Sequence, residues 1–210
     1  IYLEEAGKKG VILELNCETD FVAKSDPFKE LGNSLVSTIA SQAALTTVEE
    51  LQSTNINGKQ YKEFVSEYIM KVGENLGVKK FQAIETSGSL SSYVHMNGKI
   101  GVLVEFNQSI EEDLGKDISM QIAAANPRFV RAEDIPAEEI EKEKDIIKNQ
   151  ALNSGRPEKV IEQIVQGKIR KYCQEICLLD QEFVKDTDKK IKQILPAGVD
   201  VVRFERYSLG

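Results

Sequence analysis

The sequence contains few histidines and cysteines, on which many catalytic and metal sites depend. Its 210 residues include one histidine, three cysteines and no tryptophan. The cysteines, Cys17, Cys173 and Cys177, are too sparse and odd in number for the disulfide framework of a small secreted domain, which favours a reducing compartment. A zinc site at Cys173 and Cys177 would need two more ligands, and only Cys17 and His95 remain. We therefore expect no metal, no cofactor and no enzyme active site.

Long apolar runs and basic clusters are also missing. No segment approaches the roughly 18 apolar residues of a membrane-spanning helix. The formal net charge of −7 gives no sign of a nucleic-acid-binding surface, because neutralising phosphates requires clustered Lys and Arg. The glycine-rich segment from Gly73 lacks the spacing and hydroxyl of a phosphate-binding loop. We expect a soluble globular protein that binds neither membrane, nucleic acid nor nucleotide directly. Because the chain begins at Ile1 in strand-like sequence, we also expect a segment to precede it.

An internal repeat dominates the sequence. Residues 2–16 match residues 93–107 at a constant offset of 91, with seven of fifteen positions identical. In both segments, strand-like sequence lies on either side of a Gly-Lys turn, which follows Asn97 in the second segment. Each segment therefore predicts two antiparallel strands. The helical pattern at Leu31 recurs at Leu114 with an offset of 83. The sequence therefore predicts an α+β fold in which a unit is duplicated.

Each copy is expected to close with a further strand. An alternating segment from Gly77 is matched to one from Gly198 at an offset of 121. Each unit is then a three-stranded antiparallel sheet with helices on one face. We expect the first half of this core at residues 1–90 and the second half at residues 91–210.

The second half also contains a predicted antiparallel coiled-coil hairpin at about residues 136–178. Gly155 and Pro157 mark a helix end and a helix start. The apolar positions of the first helix are expected at Ile140, Ile146, Ile147 and Leu152. Those of the second helix are expected at Val160, Ile161, Ile164, Val165, Ile169, Tyr172, Cys173 and Ile176. The two stripes would bury each other.

The first copy has eight extra residues between its second strand and its helix, in the segment C-E-T-D-F-V-A-K from Cys17 to Lys24. In one interpretation this segment is structural: Thr19 caps a turn, Asp20 suits the helix dipole, and Phe21 and Val22 are core residues. In the other, a capped turn presents Phe21 beside a carboxylate as a binding anchor. Exposure of Phe21 separates the two, because a core phenylalanine is covered.

Three segments carry a resemblance to a known family: N-C-E-T-D-F-V-A-K, Y-V-H-M-N-G-K-I-G-V-L-V-E and C-L-L-D-Q-E-F-V-K-D. Over essentially its whole length the chain resembles bacterial-type translation elongation factor Ts. The resemblance implies a guanine-nucleotide exchange factor that binds elongation factor Tu in its GDP-bound or nucleotide-free state and promotes GDP release. Bacterial cytoplasm, or an organelle of bacterial origin, is the implied compartment.

The resemblance also assigns the site residues. It implies that Thr19, Asp20, Phe21 and Val22 enter the partner's GTPase domain, where Phe21 wedges between helices and Asp20 disturbs magnesium coordination. Gln121, which stands where many members carry a histidine, is the candidate second contact. The family's small N-terminal helical domain has no counterpart in these residues, so we expect weaker binding by this chain alone. The alternative is an architectural module that uses its helical arm for assembly.

Overall fold

A computed structural model describes residues 1–95, 98–152 and 157–209 of the chain. Helices and antiparallel sheets are both present, so the predicted α+β class is confirmed. The expected turn at Asn97 and the expected helix end at Gly155 lie outside the described residues.

The elements are numbered in chain order. The strands are β1 (Tyr2–Leu3), β2 (Lys9–Asn16), β3 (Asn55–Ile56), β4 (Lys59–Gln60), β5 (Gly77–Glu85), β6 (Ser89–His95), β7 (Ile100–Phe106), β8 (Glu182–Phe183), β9 (Asp186–Lys190) and β10 (Val201–Ser208). The helices are α1 (Asp20–Lys24), α2 (Asp26–Ser41), α3 (Val48–Gln52), α4 (Tyr61–Val72), α5 (Glu112–Ala125), α6 (Ala137–Leu152), α7 (Glu158–Ile176) and α8 (Ile191–Ile194).

The chain divides into two compact units, residues 1–123 together with 199–210, and residues 124–198. The boundary expected near residue 90 between two halves of the core stays a prediction. Within the described ranges, no helix is both long and apolar enough to cross a membrane.

The first unit contains two three-stranded antiparallel sheets. One has the strand order β1-β2-β5 and the other the order β10-β7-β6, so β2 and β7 are the central strands. Helix α2 follows β2 and buries Leu31, Leu35 and Ile39 on the core at the predicted helical spacing. Helix α5 follows β7 and buries Ile118 and Ile122 in the same way. The helical stripes are therefore confirmed, although Leu114 is only half-buried.

A β-bulge interrupts the pairing of β2 with β5. Leu15 pairs with Val78, whereas its neighbour Glu14 pairs with Lys80, so Lys79 is the extra residue on β5. The Nζ atom of Lys79 lies 3.0 Å from a carboxylate oxygen of the buried Glu14. The bulge thus lets the closing strand supply a cation to a buried carboxylate, which would otherwise be costly to bury.

A second bulge interrupts the pairing of β7 with β10. Phe106 pairs with Val201 and Glu105 pairs with Arg203, which leaves Val202 as the extra residue. Here the Nε atom of Arg203 lies 2.7 Å from the carboxylate of the buried Glu105. The closing strand again supplies the cation.

The pairing registers correct the predicted match between the closing strands. Val78 and Val201 occupy the same place in their sheets, opposite Leu15 and Phe106, which the repeat also pairs. The offset between the closing strands is therefore 123, not the predicted 121. Matching Gly77 to Gly198 was wrong because it aligned two glycines, whereas β10 starts only at Val201.

The faces of β2 and β7 that point away from the helices meet at two glycines. A Cβ atom on Gly10 would lie 3.0 Å from a methyl of Leu103, and one on Gly101 would lie 3.4 Å from a methyl of Ile12. Ile12, Leu103, Leu90 and Ile84 form the buried cluster between the sheets. Each central strand thus provides a glycine where the other provides a branched side chain, and the tighter of the two approaches is at Gly10.

The second unit contains α6 and α7, which pack against each other through buried Ile147 and Ile161. Two expected stripe positions are wrong, because Ile146 is 50% exposed and Val160 is 38% exposed. Adjacent residues on a helix are about 100° apart, so Ile146 lies to the exposed side of the buried Ile147. The same applies to Val160 beside Ile161. The side chain of Leu152 lies outside the described residues.

Polar contacts join the base of these two helices to the segment before them. Arg128 donates to both carboxylate oxygens of Glu139, at 2.6 and 3.1 Å. The hydroxyl of Tyr172 donates to the same carboxylate at 2.6 Å. Glu139 lies near the start of α6 and Tyr172 near the end of α7, so the two helices run antiparallel.

The close approach of the sheets predicts a steric penalty at Gly10. Gly10→Ala should lower the free energy of unfolding by about 1–3 kcal/mol, because the new methyl overpacks the cluster around Leu103. Gly77→Ala is the matched control, since a Cβ there meets nothing within 4 Å, and it should change stability by less than about 1 kcal/mol. Urea unfolding measures both. Equal stability of the two variants would contradict the tight contact.

Candidate functional site

The eight-residue insertion folds into a five-residue helix, α1, between β2 and α2. The hydroxyl oxygen of Thr19 accepts the backbone N–H of Val22 at 3.4 Å, which makes Thr19 the predicted N-cap. Ser25 ends α1 and begins α2, because its hydroxyl donates to the carbonyl of Val22 at 2.7 Å and accepts the N–H of Phe28. The helix is therefore capped at both ends.

The two apolar residues of α1 face in different directions. The side chain of Phe21 is 82% exposed, whereas Val22 is half-buried and packs on the hydrophobic core of the first unit. The structural interpretation was therefore wrong for Phe21 and right for Val22. The helix holds a large aromatic ring in solvent while its neighbour anchors the backbone.

Asp20 lies beside Phe21 at the start of α1 and is exposed. The Nζ atom of Lys24 donates to its carboxylate at 2.8 Å, one helical turn further on. This hydrogen bond and the charge of Lys24 lower the pKa of Asp20 below its usual value. The α1 surface thus combines an ionised carboxylate with an apolar ring.

A carboxylate from another part of the chain holds the start of α1. Glu74 accepts hydrogen bonds from the backbone N–H of Glu18 at 3.0 Å, from the N–H of Thr19 at 2.9 Å and from the Thr19 hydroxyl. In return, the carboxylate of Glu18 accepts the side-chain amide of Asn75 at 2.8 Å and its backbone N–H at 3.3 Å. We call these four residues, Glu18, Thr19, Glu74 and Asn75, the loop clamp.

The fold brings the two halves of the loop clamp together. Asn16, the last residue of β2, pairs with Gly77, the first residue of β5, so the segments just beyond them are neighbours. Helix α4 ends at Gly73, whose φ of 77° reverses the chain before Glu74. The Thr19 hydroxyl is the main reason that the pKa of Glu74 lies below its usual value.

Sequence reasoning missed Glu74 and Asn75 as site residues. Their segment was considered only as a phosphate-binding loop, which its spacing excludes. The usable signal was the expected pairing of the strands that end at Asn16 and start at Gly77, which places their flanking residues side by side. No local pattern connects residues 18 and 74.

The other candidate residues lie elsewhere. Gln121 is on α5 and only 1% exposed, so the second partner contact stays a prediction. His95 is exposed, and its Nδ1 atom lies 3.0 Å from the hydroxyl oxygen of Tyr93. Burial raises the pKa of the Cys177 thiol to about 12, which makes it an unreactive core residue. The described residues contain no group of three or more possible metal ligands.

The different exposures of Phe21 and Val22 predict different effects of their substitution on stability. Phe21→Ala should change the free energy of unfolding by less than about 0.5 kcal/mol, because the ring is exposed. Val22→Ala should cost about 1 kcal/mol, because it removes methyl groups packed on the core. Chemical denaturation of the two variants checks this. A loss of about 3–5 kcal/mol for Phe21→Ala would indicate a core ring instead.

Comparison with known proteins identifies relatives over the whole chain. The family model described as Elongation factor TS matches residues 18–210. Elongation factor Ts of Halothermothrix orenii is 46% identical over 217 aligned residues, which cover 100% of this chain and 72% of the relative. Elongation factor Ts of two Clostridium perfringens strains, SM101 and ATCC 13124, is 40% identical and covers 100% of this chain and 73% of each relative. The chain therefore belongs to the elongation factor Ts family, whose members are nucleotide exchange factors of translation elongation.

Proposed function

We propose that this chain binds elongation factor Tu, GDP-bound or nucleotide-free, and promotes GDP release by inserting Thr19–Val22 beside the partner's magnesium and nucleotide site. The exposure of Phe21 on a helix that is capped at both ends carries the proposal. An exposed aromatic ring gains free energy when a partner buries it, and buried aromatics dominate interface energies. No covalent step is needed, and no nucleic acid, membrane or cofactor takes part.

Phe21 acts as the wedge. Burying a phenylalanine side chain contributes about 1.5–3 kcal/mol. Each 1.4 kcal/mol of coupling between factor and nucleotide changes nucleotide affinity about tenfold. The ring enters between helices of the partner's GTPase domain, and that coupling accelerates release. Since α1 is already ordered, little conformational entropy is lost on docking.

Asp20 brings a negative charge to the magnesium site. Magnesium requires near-octahedral oxygen coordination and bridges nucleotide phosphates to the partner's P-loop hydroxyl, so a carboxylate beside it disturbs that geometry. The ion pair of Asp20 with Lys24 is exposed and screened by solvent. Asp20 can therefore leave Lys24 at little cost when the partner approaches.

Thr19 and Val22 support the two acting side chains. Thr19 caps α1 through its hydroxyl, and Val22 fixes the helix to the core. Gln121 remains the proposed second contact. Its side chain would have to be uncovered to reach the partner, because it is buried in the free chain.

We also propose that the two sheets of the first unit are copies of one ancestral unit. The matching bulges opposite Glu14 and Glu105, and the reciprocal contacts of Gly10 and Gly101, support this. Such contacts, in which the same two sites meet twice, are the signature of a two-fold relation. Only the first copy has the α1 insertion, so the pair has one wedge. The core halves are residues 1–90 and 91–210, and α6 with α7 form the inserted coiled-coil arm at about 136–178.

The wedge mechanism predicts the behaviour of exchange variants. Phe21→Ala should reduce the acceleration of GDP release by roughly tenfold or more, which is the rate equivalent of losing the buried ring. Asp20→Asn, which keeps the shape but removes the charge, should also reduce it. The double variant should lose less than the sum of the two losses, because both side chains act through one docked helix.

Release of a fluorescent GDP analogue from elongation factor Tu measures these effects. Val202→Ala is the control, since Val202 is an exposed apolar residue on β10 and not part of α1. This variant should accelerate GDP release as much as the unaltered chain does. If the unaltered chain does not accelerate release, the proposed function is wrong. If Phe21→Ala matches the unaltered chain, the wedge is wrong.

The arm should be dispensable for folding. Replacing residues 143–168 by a short Gly/Ser linker keeps Glu139 and Tyr172, whose hydrogen bond holds the shortened helices together. We expect cooperative urea unfolding with a midpoint close to that of the full chain, because the removed segment packs on itself. A broad or multistep unfolding curve would show that the arm stabilises the rest.

A further inference from the structure

We propose that Glu74 is a positioning residue for nucleotide exchange, which holds α1 in the orientation that presents Phe21 and Asp20 to the partner. This inference rests on the proposed function. Glu74 lies 53 residues after Phe21 in the chain, and the proposal gives it no contact with the partner. Its role follows from the loop clamp alone.

Glu74 satisfies three donors that α1 cannot satisfy itself. The N–H groups of Glu18 and Thr19 precede the helix, and no helical carbonyl is available to accept them. One Glu74 oxygen accepts both, at 3.0 and 2.9 Å, while the other accepts the Thr19 hydroxyl. Hydrogen bonds to an ionised acceptor are stronger than neutral ones. The carboxylate therefore holds two consecutive residues at a fixed distance from the end of α4.

The third of these bonds connects Glu74 to the helix cap. The Thr19 hydroxyl has one proton and two lone pairs. Because the proton is donated to Glu74, a lone pair is directed to the N–H of Val22, 3.4 Å away. Glu74 thus sets the orientation of the capping oxygen, which in turn sets where α1 begins.

A five-residue helix depends on such external support. Isolated helices shorter than about 12–15 residues are marginal in water, so α1 cannot keep its own shape or direction. Its other attachments include the Ser25 cap, the half-buried Val22 and the Cys17 thiol, which donates to the Thr19 carbonyl at 3.2 Å. Glu74 and the reciprocal bonds between Asn75 and Glu18 supply the attachment at the start of α1. That end carries Asp20 and Phe21.

The chemistry of the loop clamp ranks possible replacements. Glutamine keeps one acceptor oxygen for the two backbone N–H groups, and its NH₂ can donate to the Thr19 oxygen after the hydroxyl rotates. Alanine provides neither an acceptor nor a donor. Glu74→Gln should therefore retain most of the positioning, and Glu74→Ala should lose it.

Loss of the clamp should appear as weaker productive docking. Each side chain that must be ordered on binding costs about 0.5–1.5 kcal/mol, so kcat/KM for GDP release should fall about threefold to tenfold in Glu74→Ala. The ordering cost arises on docking, so the fall should come from a raised KM for elongation factor Tu with kcat nearly unchanged. Glu74→Gln should lie close to the unaltered chain. Glu63→Ala, an exposed glutamate on α4, controls for the lost charge.

Two further measurements separate positioning from general stability. Amide hydrogen exchange of the free chain should be faster at Glu18, Thr19 and Val22 in Glu74→Ala and unchanged in the α2 core. In a Phe21→Ala background, Glu74→Ala should have a smaller effect on GDP release than in the unaltered chain, because only Asp20 is left to position.

The outcomes distinguish this inference from the proposed function. An unaltered chain that does not accelerate GDP release overturns the proposed function itself. If the unaltered chain is active and Glu74→Ala has the same kcat/KM, only the role of Glu74 is overturned. Unchanged amide exchange at Glu18 and Thr19, or an undiminished Glu74→Ala effect without Phe21, overturns that role as well. Glu74→Gln behaving like Glu74→Ala would overturn the hydrogen-bond argument.

Discussion

The antiparallel pairing of β2 with β5 is the constraint on which the candidate site depends. One face of β2 packs on α2 and the helical core, and the other meets the second sheet at Gly10 and Ile12. With both faces occupied, β2 cannot shift along β5 without displacing every side chain that it buries. The pair Asn16 and Gly77 therefore has a fixed place at the end of the sheet. The positions of the residues just beyond that pair therefore depend on it.

The site separates the side chain that is displayed from those that hold it. Phe21 contributes little to the folding of its own chain, because it is exposed. Val22, the two caps and Glu74 hold the backbone, and each does so through contacts inside the chain. Such an arrangement resolves a conflict, since an exposed ring on a flexible loop would collapse onto the nearest apolar surface. Fixing the backbone keeps the ring available and reduces the entropy lost on binding.

The sequence predicted the features that depend on local periodicity and on self-comparison. The stripes of α2 and α5 followed from their spacing, and the insertion followed from the change of offset between strand and helix. Three features were not predicted from local patterns. The direction of Phe21 depends on how the core anchors Val22, and the loop clamp joins residues 56 positions apart, Glu18 and Glu74. The bulges at Lys79 and Val202, and the true register of the closing strands, appear only in the strand pairing.

An exchange factor must also leave its partner, and this requirement limits how strongly the proposed wedge can bind. Coupling between two ligands on one protein is reciprocal, so a factor that weakens nucleotide binding is itself weakened by nucleotide. If α1 bound with many large side chains, returning nucleotide could not displace it. In the proposed mechanism, one exposed ring and one carboxylate, already ordered before contact, would give a modest gain on docking with little entropy to recover on release. The small size of α1 and the rigidity of its support would then serve one purpose: enough coupling to release GDP, without enough affinity to trap the factor.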